Sequence, residues 1–66
     1  MHIAINGAVR EVQLNCTVAE LIVHLGLNPA GVAVAVNQTV VPRSNRTDHA
    51  LQPQDRVEII QAVGGG

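Results

Sequence analysis

A chain of 66 residues with a net charge of −1, 47% apolar side chains and no Phe, Tyr or Trp can build one small domain around an aliphatic core. Its one cysteine forms no internal disulfide and no Cys/His cluster could hold a structural metal, so apolar burial must hold the fold. Lacking a basic patch, stacking aromatics, a signal-peptide pattern or an apolar run near the roughly 20 residues that span a bilayer, the chain is expected to be a cytoplasmic carrier or binding module. Neither nucleic acid nor membrane is an expected partner, and so small a sheet offers little of the concavity an enzyme needs.

Residues 2–14 read as a β-hairpin. Ile3 and Ile5 alternate with His2 and Ala4, and Val12 and Leu14 alternate with Glu11 and Gln13. Asn6-Gly7 between them is the pair that most readily makes a type I′ turn. A helix follows, with Thr17 as N-cap and Glu20 closing a capping box. Val18, Leu21, Ile22 and Leu25 fall at i, i+3, i+4 and i+7, one apolar stripe, and Gly26 ends the helix ahead of Asn28-Pro29.

Val32 to Val36 is apolar on both faces and predicts an interior strand. Asn37-Gln38 turns the chain into a short strand, Thr39 to Val41, which Pro42 ends. Residues 43–55 are polar and turn-rich with Leu51 as an anchor, and Arg56 to Val63 forms the last strand with Val57 and Ile59 on one face. A two-turn helix can bury its stripe only against one face of a sheet. Pairing the first strand with the last would then be parallel and place both centrally. The expected fold is α+β, a β-grasp (ubiquitin-like) domain over residues 1–63. A mixed sheet of about five strands packs on one short helix, and a flexible glycine tail occupies residues 64–66.

Val34-Ala35-Val36-Asn37, Val41-Pro42-Arg43, Leu51 with Asp55-Arg56-Val57-Glu58-Ile59, and Ala62-Val63-Gly64-Gly65-Gly66 keep their order along almost the whole chain. In this the sequence resembles the ThiS family, the sulfur carriers of thiazole (thiamin) biosynthesis. It departs from the family at Gln54, where glycine often stands and where a positive φ would strain a residue with a Cβ. It also lacks the aromatic residue that often follows the Pro-Arg pair.

The resemblance implies a carrier without turnover of its own. A ThiF-type adenylyltransferase would use ATP to join the Gly66 carboxylate to AMP. A persulfide from a sulfur-donating desulfurase system would then leave a thiocarboxylate, and thiazole synthase would take the sulfur. No cofactor would be bound by the carrier itself. Gly64 and Gly65 would thread the partner's active site, since three extended residues reach roughly 10 Å and glycine adopts φ values closed to others. A MoaD-like carrier of molybdopterin synthesis, a ubiquitin-like protein modifier and an interaction module with an inert tail remain open. The chain has no lysine, so it cannot form lysine-linked chains of itself.

Side-chain parity marks one more surface. If Ile3, Ile5, Val57, Ile59, Val32, Val34 and Val36 face the helix, then Ala4, Ala33, Ala35, Ile60 and Ala62 face away, where an uncommitted sheet would be polar. This is the expected partner-docking patch. Cys16 reads as a hydrophobic staple on Leu21, with Glu11 and Glu20 raising its pKa, rather than as a sulfur-handling thiol. His2, His24 and His49 lack metal-ligand spacing, and Arg43 and Arg46 read as solvated loop charges.

Overall fold

A computed structural model describes residues 1–61; Ala62, Val63 and the three glycines lie outside the described residues. Five strands, β1 (His2–Ile5), β2 (Ala8–Glu11), β3 (Val32–Val36), β4 (Thr39–Val40) and β5 (Arg56–Gln61), and one helix, α1 (Val18–His24), follow one another as β1-β2-α1-β3-β4-β5. They form a single sheet in the order β2-β1-β5-β3-β4, with β1 and β5 parallel at its centre and the other pairs antiparallel. This is the β-grasp arrangement expected from the sequence.

The first hairpin turns at Asn6 and Gly7 with φ of 50° and 86°, the two positive values of a type I′ turn. Asn37 and Gln38 repeat the geometry between β3 and β4 at 50° and 71°, here with no glycine. Strand β2 is shorter than expected. It ends at Glu11, and its last rung is made by the terminal amine of Met1 donating to Val12 O at 2.7 Å while Val12 N–H returns a bond to Met1 O at 2.8 Å. Leu14 is exposed, not part of the alternation, because Asn15 takes a left-handed φ of 64° and turns the chain toward the helix.

Helix α1 begins as expected: Thr17 Oγ1 accepts from Glu20 N–H at 3.1 Å, and Thr17 N–H donates to Glu20 Oε1 at 3.0 Å. Two further N–H groups of its first turn are satisfied from a distance. Val18 N–H donates to His49 O at 3.0 Å and Ala19 N–H to Arg46 O at 3.1 Å, so the polar segment after β4 wraps the helix start. At the other end Gly26 (φ 72°) donates to Val23 O and Leu27 to Ile22 O, a Schellman closure.

The core is aliphatic. Val18, Leu21 and Ile22 of the helix meet Ile3, Ile5, Val34, Val36, Val57 and Ile59 of the sheet, with Val41 and Leu51 closing the sides. One residue breaks the expected pattern of a solvated loop. Arg46 is only 6% exposed and donates through Nη1 to Pro29 O (2.9 Å) and through Nη2 to Val32 O (2.7 Å). The guanidinium ties the first residue of β3 and the turn before it to the segment after β4.

Gln54 stands where glycine is frequent in the family that the sequence resembles, and it adopts the left-handed conformation that glycine would. Its φ is 69°, and Asp55 N–H closes the turn on Gln52 O at 3.2 Å with Pro53 at the second position. This is a type II turn with a side chain at its left-handed corner.

Candidate functional site

Strand β5 carries the chain toward its C-terminal glycines, so the groups that hold β5 define the base of the candidate site. On its β1 side, Ala4 N–H donates to Asp55 O and Asn6 N–H to Val57 O, both at 2.9 Å. The hairpin turn then takes the main chain away. The side chain of Asn6 continues the ladder: Oδ1 accepts from Ile59 N–H at 2.8 Å and Nδ2 donates to Ile59 O at 3.2 Å. On the β3 side, Asn37 Oδ1 accepts from Arg56 N–H at 3.0 Å and its main-chain N–H donates to Arg56 O at 2.7 Å. Two turn asparagines thus grip one central strand, Asn37 at its start and Asn6 near its end. Neither grip was read from the sequence, where both residues were explained by their turns alone.

The face of the sheet turned away from the helix holds the parity-predicted residues. Ile60 is 65% exposed beside Ala33, Ala35 lies between Glu58 and Val40, and Ala4 lies beside Val9 and Arg56. The structure therefore brings Ile60, Ala4, Ala33 and Ala35 onto one face, while Ala62 lies outside the described residues. The surface is less uniform than a row of small residues. Arg56 and Glu58 share this face of β5 with Ile60, and the exposed Val9 and Val40 sit on the two edge strands. Carrying the alternation through every residue of β5 would have found both charges. The edge valines needed the strand order.

Of the remaining candidates, Cys16 is half-buried against the core just before the N-cap. Burial first, and the neighbouring Glu20 second, push its thiol pKa up, which disfavours the thiolate. Glu11, expected to contribute, is not among the causes. Glu20 is held below the usual carboxylate range, first by the Thr17 backbone N–H and then by its hydroxyl. A shallow groove beside Cys16, floored by Leu21 and edged by Leu14 and Val23, opens on the helix side, away from β5. Among the described residues no three His, Cys, Asp or Glu side chains cluster as metal ligands, and no helix is long and apolar enough to cross a membrane. Gly64, Gly65 and Gly66, the expected reacting tail, lie outside the described residues.

Known proteins share both the sequence and this architecture. Residues 3–66 match the ThiS family. Over 66 residues the chain is 35% identical to the sulfur carrier protein ThiS of Escherichia coli, covering 100% of each. It is also 36% identical over 66 residues to a thiazole synthase of Paramagnetospirillum magneticum, where the match spans 20% of that protein. The crystal structure of the thiamine biosynthesis protein (ThiS) of Geobacter metallireducens superposes with a TM-score of 0.87 at 28% identity, each chain covered in full.

Proposed function

The chain belongs to the ThiS family, and on that premise we propose that the carboxylate of Gly66 is the group that carries the sulfur. Its role is that of a small sulfur carrier in thiamin biosynthesis. The observation that carries the finer reading is the match to a sulfur carrier across all 66 residues of both chains, the C-terminal glycines included.

A carboxylate is a poor acyl donor because oxide is a poor leaving group. In the proposed first step a Gly66 carboxylate oxygen attacks the α-phosphorus of ATP and pyrophosphate departs, leaving an acyl adenylate. The terminal sulfur of a persulfide then attacks the acyl carbon and AMP leaves. Attack by a second thiol on the donor's own cysteine sulfur in the resulting acyl disulfide breaks the S–S bond, releases the thiocarboxylate and leaves a disulfide on the donor system. The partners are a ThiF-type adenylyltransferase, a desulfurase-derived persulfide and thiazole synthase, the last supported by the match to a segment of thiazole synthases. The raised pKa of Cys16 supports leaving this thiol out of the sulfur relay. The carrier docks through the face around Ile60, with Ala4, Ala33, Ala35 and Ala62, and Gly64 and Gly65 enter the partner's active site.

The test is an incubation of the full chain with a ThiF-type adenylyltransferase, ATP and a sulfur donor, read by intact mass. Exchange of one oxygen for sulfur is expected, and removing Gly65 and Gly66 should abolish it without unfolding the domain. Adducts on other proteins, with no such exchange, would overturn the carrier chemistry in favour of a modifier.

A further inference from the structure

We propose that Asn6 is a positioning residue for the C-terminal segment: its side-chain amide grips Ile59, so that β5 is held on both sides as far as that residue. The inference rests on the sulfur-carrier reading for its functional consequence, but the grip itself is a matter of geometry.

A parallel ladder advances two residues per rung. Bonds from Ala4 N–H to Asp55 O and from Asn6 N–H to Val57 O set the step. The next rung would need Asn6 O to accept from Ile59 N–H and the N–H of residue 8 to reach Ile59 O. Neither is in place, because the chain has turned back at Asn6-Gly7 with positive φ at both residues. A primary amide carries one acceptor and one donor face in a plane, as a peptide group does. Asn6 supplies both at once, at 2.8 Å and 3.2 Å, to the two main-chain groups of one residue.

The place of this rung gives it meaning beyond stability. Ile59 is followed by Ile60, whose partner on β3 is Ala33, and by Gln61, paired with Val32. Without Asn6 the end of β5 would hang from β3 alone, and a strand gripped along one edge frays from its end. Ile60 and Gln61 would then take a wider set of directions. Docking would have to remove that freedom each time. A carrier that presents its tail to partners in turn gains from having the direction set in advance.

The test compares Asn6→Ala with Asn37→Ala in the full chain. Asn37→Ala removes the grip on Arg56 at the far end of the same strand and the bond to Asp55 with it, so it serves as the control for a general loss of stability. Amide hydrogen exchange in Asn6→Ala should speed up at Ile59 and Ile60 by about tenfold or more relative to Val34, whereas Asn37→Ala should act at Arg56 and spare Ile60. With the adenylyltransferase, Asn6→Ala should raise KM for the carrier about three- to tenfold with kcat within about twofold, and Asn37→Ala should leave KM in place. Equal KM changes in the two variants would reduce Asn6 to a stabilising contact and overturn the proposal. Unchanged exchange at Ile60 would overturn it as well. A wild-type chain that is never adenylated would overturn the carrier reading and the positioning role together, while the exchange pattern would still decide the grip.

Discussion

Asn37 and Asp55 meet across the start of β5, with Asn37 Nδ2 donating to Asp55 Oδ1 at 3.0 Å. The other carboxylate oxygen, Oδ2, accepts from Gln52 N–H at 2.8 Å. One buried side chain thereby joins the β3–β4 turn to the turn that launches the last strand. Asp55→Ala would leave both donors without their partner. The expected cost is about 1–3 kcal/mol, read as a lower midpoint in urea. A midpoint unchanged from wild type would show that water replaces the carboxylate at no cost.

Gln54 is the opposite case, a residue whose replacement should help. Its left-handed φ of 69° costs a residue with a Cβ roughly 1–2 kcal/mol, part of which glycine gives back through its greater freedom when unfolded. Gln54→Gly should therefore raise stability by about 0.5–1 kcal/mol. Gln54→Val should lower it, because a β-branched side chain suits this φ worst. The Gln54 N–H bond to His2 O, 2.8 Å, is kept in both variants and does not confound the comparison. A melting temperature that falls for glycine would disprove this account of the turn.

The capping box makes a prediction in pH. Thr17 lowers the pKa of Glu20 in the folded chain, so the carboxylate's contribution is complete above its unfolded pKa. It is lost as pH falls through the lower folded value. Thr17→Ala should cost about 1 kcal/mol at neutral pH, a shift of several degrees in a domain of this size. The gap between wild type and variant should narrow on acidification below the carboxylate range. A gap that stays constant would mean that the bond from the Thr17 hydroxyl to Glu20 takes no part, since the variant keeps the main-chain N–H.

Ile60 and Val57 face opposite ways from the same strand, with exposures of 65% and 1%. Val57→Glu should unfold the chain, since it buries an unpaired charge among aliphatic side chains. Ile60→Glu should fold with near wild-type stability. If the face around Ile60 docks on the adenylyltransferase, the same change should weaken that association about ten- to a hundredfold, the equivalent of losing a buried apolar contact. Normal binding by Ile60→Glu, measured by calorimetry, would remove Ile60 from the interface.

What the sequence determined by itself was whatever neighbours along the chain decide. Asn6-Gly7 specified a turn because few residue pairs accept two positive φ values, and Thr17 with Glu20 specified a helix start because a capping box spans four residues. Alternation then separated Val57 and Ile59 from Ile60, and the order of elements pointed to a parallel β1–β5 pair. The tail's chemistry came from resemblance, not from periodicity. Tertiary structure decided the rest, where partners are distant in sequence. Arg46 looked like a loop charge until the fold set the carbonyls of Pro29 and Val32 around its guanidinium. Asn6 looked like a turn residue until β5, 53 positions later, came to lie against its amide. A polar side chain's role depends on which unpaired main-chain groups the fold leaves within about 3 Å, and no local pattern records that.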